Sequence, residues 1–163
     1  MALGQTRQQD EDDGVRYRRN VAAILQRSNG QILIAERRDT PEAWQFPQGG
    51  IDEGEDETGA LYREVEEELG IRRDLVRIRE RRDGYRYRFA GDRIKHGIYR
   101  GQQQVYFLCD FAGSNGDIRL EVHEPEFGRF RWIDPRDFQI AWVPDFKKAV
   151  YRAVMRDFFG VDL

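Results

Sequence analysis

Hydrophobic residues gather in two short runs near the start of the chain, Val21 to Leu25 and Ile32 to Ala35, separated by Ser28-Asn29-Gly30. An Asn-Gly pair between two such runs favours a tight hairpin, because both residues tolerate the positive φ that the turn requires. The runs are therefore expected to pair as strands. After a turn at Asp39 to Ala43 that carries Pro41, Trp44-Gln45-Phe46 leads into Pro47 to Gly54, a polar, glycine-bearing stretch that predicts irregular loop. From Asp56 to Leu69 the period changes: Leu61, Val65 and Leu69 recur every four residues, and Gly70 follows where a helix C-cap belongs. Leu75 to Ile78, Tyr85 to Phe89, Gln104 to Phe111, Ile118 to Glu121 and Phe130 to Ile133 have strand character, with a loose basic connection from Gly91 to Gly101. A second helix is expected from Val143 to Phe159, with Phe146, Val150, Val154 and Phe158 on one face. Strands interrupted by two substantial helices predict an α+β fold with a mixed sheet covered on its faces by helices.

Length and composition narrow this picture without changing it. The 163 residues suit one domain, placed at residues 15–163, and contain no internal repeat. Met1 to Gly14 is polar and acidic, so it is expected to form a disordered tail. That tail lacks the apolar block of a signal peptide, which predicts a cytoplasmic protein, and no apolar run approaches the roughly 20 residues of a membrane helix. Cys109 is the sole cysteine, which excludes an internal disulfide and a multi-cysteine zinc site; its apolar neighbours predict an inert thiol in a strand. His96 and His123 stand in no metal-ligand spacing and are expected on loops or the surface. Nothing in the pattern points to a protein partner.

Charge adds more through distribution than through balance. The net charge of −3, from 27 basic and 30 acidic residues, does not announce a nucleic-acid binder. Glutamates cluster between Glu53 and Glu68, however, while basic residues gather at Arg16 to Arg19, Arg37 to Arg38, Arg77 to Arg100 and Lys147 to Lys148. An acidic patch beside basic ones is what a metal-assisted site for a polyanion needs. On a helix each residue turns by about 100°, so Glu64, Glu67 and Glu68 share one face, beside the apolar stripe of Leu61, Val65 and Leu69, while Glu66 points away. A solvated acidic face would explain such a cluster, but Glu64 and Glu68 are like charges four residues apart, an arrangement that costs an isolated helix about 0.2–0.5 kcal/mol. A bound divalent cation reverses that sign. Oxygen-only donors suit Mg²⁺, completed by water and substrate phosphates. In the loop ahead of the helix, Gly49 and Gly50 allow a metal or phosphate to approach the backbone, although two glycines also suit a simple turn.

Together these residues read Gly49, five residues, Glu55, seven residues, then Arg63-Glu64-Val65-Glu66-Glu67-Glu68-Leu69-Gly70-Ile71. This resembles the complete Nudix box, with every fixed position matched. The resemblance implies a loop-helix-loop site on an α/β/α sandwich, and hydrolysis of a nucleoside diphosphate linked to another moiety. Trp44-Gln45-Phe46-Pro47-Gln48-Gly49-Gly50-Ile51 is similar to the branch of the family formed by bacterial RNA pyrophosphohydrolases and dinucleoside polyphosphate hydrolases. Tyr17 to Val21, Gly101 to Gln104, Glu124 to Phe127 and Phe146 to Arg152 agree with that branch as well. Departures are the long acidic N-terminus, Arg19 where proline is frequent, Ala22-Ala23 in place of glycine and a branched residue, and the basic segment from Tyr85 to Arg100 near the expected substrate region.

By position in the motif, the resemblance makes Glu64, Glu67, Glu68 and the backbone carbonyl of Gly49 metal ligands, joined by Glu126, for Mg²⁺ or Mn²⁺. One carboxylate must take a proton from the attacking water; Glu67 is favoured, with Glu68 and Glu126 as alternatives. Arg63 is expected to fix the loop near Glu55. Arg18, Arg38 and Lys147 match positions that meet substrate phosphates, and Phe146 matches one that stacks on a base, though core packing would also explain Phe146, and an ordinary surface position Arg38. The expected substrate is 5′-triphosphate RNA, with a dinucleoside polyphosphate as the alternative. The Trp44 to Ile51 segment disfavours a nucleotide-pool sanitiser, and the full set of glutamates disfavours a binding-only sensor.

Overall fold

The computed structural model describes residues 14–122 and 124–163. The expectation of a disordered tail falls almost wholly outside these residues, as does that for His123. The apolar run at Val21 to Leu25 lies in β1, Tyr17–Gln26, which turns through Asn29-Gly30 into the antiparallel β2, Ile32–Arg37. Gly30 has φ 88, the conformation for which the turn residue was read. β3, Trp44–Gln45, pairs with β2. β4, Gln48–Gly50, pairs antiparallel with β1, placing Gly49 opposite Val21. The expectation of wholly irregular structure from Pro47 to Gly54 is corrected there: glycine side chains favour no strand, but their backbone amides complete the β1 ladder as any residue's would.

Helix α1, Glu57–Leu69, starts at Asp56, whose carboxylate accepts from the Gly59 N–H at 2.6 Å, and ends at Gly70 in the left-handed conformation, φ 64. The C-terminal end matches the cap read at Gly70, and the structure adds the Asp56 N-cap, which the sequence pattern does not single out. The two strand segments expected at Leu75 to Ile78 and Tyr85 to Phe89 are one long strand, β5, Val76–Arg88, with register shifts after Ile78 and after Arg82. β6, Gly101–Phe111, runs antiparallel to β5 and parallel to β1. The strand expected at Ile118 to Glu121 does not form. Instead Arg119 N–H donates to the Leu69 carbonyl at 2.6 Å, so the segment satisfies the end of α1 and leaves the sheet. β7, Phe127–Ile133, pairs with β2, and the final helix α2, Asp145–Phe159, starts two residues later than its pattern predicted and ends at the residue expected.

The sheet runs β3-β2-β1-β6-β5, with β4 and β7 paired to β1 and β2. It is mixed and carries a core on each face. Val21, Ala23, Leu25, Leu33, Ala35, Val105 and Phe107 meet Leu61, Val65 and Leu69 of α1. The alternate residues Ala22, Ile24, Ile32, Ile34, Tyr106 and Leu108 meet Val150, Tyr151, Val154 and Met155 of α2. Coverage on both faces explains why β1 and β2 read as unbroken apolar runs without alternation. Cys109 is buried in β6, and burial pushes its thiol up to about 12, so it stays protonated. Among the described residues no helix is long and apolar enough to cross a membrane.

Candidate active site

Strand β4 and helix α1 bring the glycine loop onto the carboxylates. A Cβ on Gly49 would fall inside the Glu64 carboxylate, and one on Gly50 would fall inside the Arg18 guanidinium. At both positions the missing Cβ is what lets these side-chain ends come so close, and no unusual φ is involved. Arg63 holds the loop as expected. Its Nε and Nη2 donate to Glu55 at 2.8 Å each, Nη2 also reaches the Gly50 carbonyl at 2.8 Å, and Nη1 bridges Glu64 at 2.8 Å and Glu67 at 3.2 Å. The pairing lowers the Glu55 carboxyl to about 2, chiefly through the Arg63 hydrogen bonds.

Glu68 is buried, and its Oε2 has no hydrogen-bond partner. Burial, then the neighbouring carboxylates of Glu126 and Glu64, push its pKa up to about 11. Glu64 is raised as well, mainly by burial. Glu67 stays open, with 59% of its side chain exposed against 13% for Glu64. These groups line an acidic cleft with Glu66, Val122, Glu124 and Glu126. Helix phase turned Glu66 from the Glu64 face, yet the cleft wraps round far enough to include it.

A second cleft of about 690 Å³ shares Glu64, Glu68 and Glu126 and extends away from α1. Its floor is Asn20, Gln48, Gly49 and Gly50, and its cations are Arg18, Arg37, Arg93, Lys95 and Lys147. Carboxylates and cations thus face one another across a single space. Lys147 is buried, and that burial, with Arg37 nearby, lowers its ammonium to about 8. Phe146 lines the same cleft, half-buried, its ring 5.6 Å from that of Tyr87. Arg37 is bound to Asp39 by two hydrogen bonds of 3.0 Å. Among the described residues, Arg18, Arg93, Lys95 and Lys147 have no carboxylate within ion-pair distance, whereas Arg77, Arg79, Arg81 and Arg82 each have one.

Of the residues picked from sequence, the structure brings Gly49, Glu64, Glu68, Glu126, Arg18, Phe146 and Lys147 to this cleft. Glu67 faces the adjoining acidic one. Arg38 is absent from both linings. It lies exposed at the end of β2, its side chain passing Gly128, while its backbone N–H donates to the Glu126 carbonyl at 2.9 Å. Strand alternation turns Arg37 inward instead, a signal that the apolar run alone did not show. Gln48, Tyr87, Gln102, Arg93, Ile94 and Lys95 were missed. Gln102 and Tyr87 could have been found from alternation once their strands were paired; the last three depend on how one hairpin bends.

The donor set fits a hard divalent cation, being all oxygen with one buried, unpartnered carboxylate atom. The fit is chemical rather than assembled: among the described residues no three acidic, histidine or cysteine side chains converge at metal-ligand distances. The Arg63 guanidinium supplies positive charge between Glu64 and Glu67 in this arrangement.

A fold of this kind, with a glycine loop set against a glutamate helix, defines the class, and comparison with known proteins names it. The NUDIX domain model matches residues 16–157, and the chain belongs to the Nudix family. It is a hydrolase acting on pyrophosphate bonds. The chain is 40% identical over 150 residues to an RNA pyrophosphohydrolase of Rhodospirillum rubrum, covering 90% of each chain. It is 41% identical to the protein of that name from Novosphingobium aromaticivorans, covering 89% of this chain and 94% of that one. Among solved structures, an Ap4A hydrolase from C. elegans in a binary complex shares the fold at a TM-score of 0.61 and 19% identity, over 86% of this chain and 98% of that one. Nudix hydrolases generally use a divalent metal.

Proposed function

We propose that this enzyme removes pyrophosphate from the 5′ end of triphosphorylated RNA, with Mg²⁺, or Mn²⁺ in its place, as cofactor. The observation that carries the reading is one cleft lined by four cations without ion-pair partners, by Gly49 and Gly50, and by the carboxylates of Glu64, Glu126 and the buried Glu68. Cations left unpaired beside carboxylates stabilise a ligand that carries phosphate charge toward them and brings a divalent ion toward the glutamates. The names of the relatives from Rhodospirillum and Novosphingobium support RNA as that ligand.

Glu64, Glu67, Glu68 and Glu126, with the Gly49 carbonyl, would hold the cation. When bound, it supplies charge neutralisation at the phosphates and readies water for attack on phosphorus. Arg63 fixes the loop and the glutamates. Glu67 takes the water's proton, since it is the most exposed of Glu64, Glu67 and Glu68 and the least committed to the buried cluster. Water adds to phosphorus, the anhydride P–O bond breaks, and the products are pyrophosphate and a 5′-monophosphate end. Arg18 and Lys147 bind the phosphate chain, Phe146 stacks on a base, and Arg38 acts through the backbone bond that seats Glu126.

A dinucleoside polyphosphate substrate would use the same groups, and an experiment separates the two. At fixed salt, specificity constants are measured for a short 5′-triphosphate RNA, diadenosine tetraphosphate and nucleoside triphosphates, in wild type and Phe146→Ala. RNA should lead in wild type, and Phe146→Ala should cost about 1–3 kcal/mol of its binding. A wild-type preference for diadenosine tetraphosphate of about tenfold or more, roughly 1.4 kcal/mol, would replace RNA with the dinucleotide.

A further inference from the structure

The chain leaves β5 at Arg88 and returns to the sheet at Gly101, and between them it folds into a tip that reaches the cleft. Phe89 N–H donates to the Arg100 carbonyl at 2.8 Å, and farther out Lys95 and Tyr99 exchange backbone bonds of 2.8 and 2.9 Å. These close around His96 and Gly97, at φ 50 and 72. Two successive residues in the left-handed region reverse the chain tightly, and the paired bonds offset the backbone cost of holding the histidine there.

The bend delivers three consecutive side chains, Arg93, Ile94 and Lys95, to the lining shared with Gly49, Glu64, Glu68 and Glu126. Neither Arg93 nor Lys95 has an ion-pair partner among the described residues, while Arg77, Arg79, Arg81 and Arg82 on the strand that feeds the tip are all paired. Lys95 is exposed at the rim of the cleft; the protein around it lowers its ammonium first by desolvation and then through Arg18, and Glu126 and Glu64 draw it the other way, so it sits within electrostatic reach of both walls. Ile94 and Ile98 on the same tip are the large hydrophobic residues left exposed among the described ones, at 43% and 47%. A cationic group and an apolar group adjacent on one turn match a ligand with phosphates at one end and a nucleoside at the other.

Resting on the phosphate-anhydride reading above, we propose that this tip is a substrate-binding arm in which Lys95, flanked by Arg93, binds the phosphate chain opposite Arg18 and Lys147 while Ile94 covers the nucleoside. The arm adds phosphate charge recognition from a loop, whereas Arg18 and Lys147 supply it from the sheet and α2.

The test compares wild type, Lys95→Met, Lys95→Arg and Arg77→Met, the last removing the same charge from β5 outside the cleft. Specificity constants for a short 5′-triphosphate RNA are measured with Mg²⁺ across a salt series, with melting curves for each protein. Lys95→Met should lose about tenfold or more and flatten the salt dependence by about 0.7 in slope, the amount for one single-strand phosphate contact. Lys95→Arg should retain both, and Arg77→Met should leave both near wild type. The proposal is overturned if Lys95→Met stays within about twofold with an unchanged slope, or if the loss tracks a fall in melting temperature that Lys95→Arg does not rescue. If wild type cleaves neither the RNA, diadenosine tetraphosphate nor a nucleoside triphosphate, the anhydride reading has failed, and this proposal with it, before any variant is compared.

Discussion

Arg63 and Glu55 are joined by two parallel hydrogen bonds of 2.8 Å, and the same guanidinium reaches the Gly50 carbonyl, so one side chain sets the loop against the helix. Glu55 is lowered to about 2 by this contact. Because its folded pKa lies below its unfolded value near 4.5, the contribution is complete above that value and is lost as pH falls toward 2. Wild type should therefore melt above Glu55→Gln at neutral pH, with the difference shrinking between about pH 4.5 and 2. A pH-independent difference in melting temperature would show that the pair does not act through charge.

Glu68 carries a buried oxygen without a partner. Leaving such a group unpaired is unfavourable, so Glu68→Gln should melt no lower than wild type in chelator, while turnover falls by two or more orders of magnitude, about 3 kcal/mol or more in transition-state stabilisation. Mg²⁺ should raise the wild-type melting temperature and have less effect on the variant, since only a ligand bound to the folded state stabilises it. Equal turnover with chelator and with Mg²⁺ would remove the metal from the mechanism.

Gly49 lies directly against Glu64. In Gly49→Ala the carboxylate must swing aside, which a flexible side chain can do at a cost to stability of about 1 kcal/mol or less. The same displacement should reduce turnover far more than stability and raise the Mg²⁺ concentration needed for half-maximal activity. Gly50→Ala displaces Arg18 instead, so it should act mainly on KM. Steady-state kinetics across a Mg²⁺ titration distinguish the two patterns, and identical kinetics in both variants would contradict the geometry.

Tyr151 on α2 is fully buried, and its hydroxyl accepts from the Phe46 N–H at 3.2 Å, while the two rings stack at 5.6 Å. The bond ties α2 to the strand-side chain leading into Gln48 and Gly49. Tyr151→Phe keeps the stacking but orphans a buried N–H, at a cost of about 1–3 kcal/mol. Chemical denaturation should show that loss with the slope unchanged. Full retention of stability would mean that another acceptor captures Phe46.

Residues close in sequence announced their own geometry. The arc of Glu64, Glu67 and Glu68, the cap at Gly70 and the turn at Asn29-Gly30 follow from backbone periodicity and local backbone conformation, which neighbours along the chain suffice to define, while the Arg63 to Glu55 contact came from the resemblance to the family motif. The alternating cores were latent in unbroken apolar runs, which do not say which partner lies on which face. Tertiary structure alone decided the rest. Glu126 reaches Glu68 only because β7 pairs with β2 and the Arg38 N–H binds the Glu126 carbonyl. Arg37 rather than Arg38 enters the cleft because the strand's pleat, set by its partners, chooses one of two adjacent side chains. Gly49 and Gly50 became a strand since β1 had unpaired amides to offer, and Ile118 to Glu121 lost theirs to the end of α1. Lys95 was one basic residue among many until a left-handed turn at His96 and Gly97 carried it over the carboxylates, a placement that depends on long-range pairing of β5 with β6 and not on the local pattern.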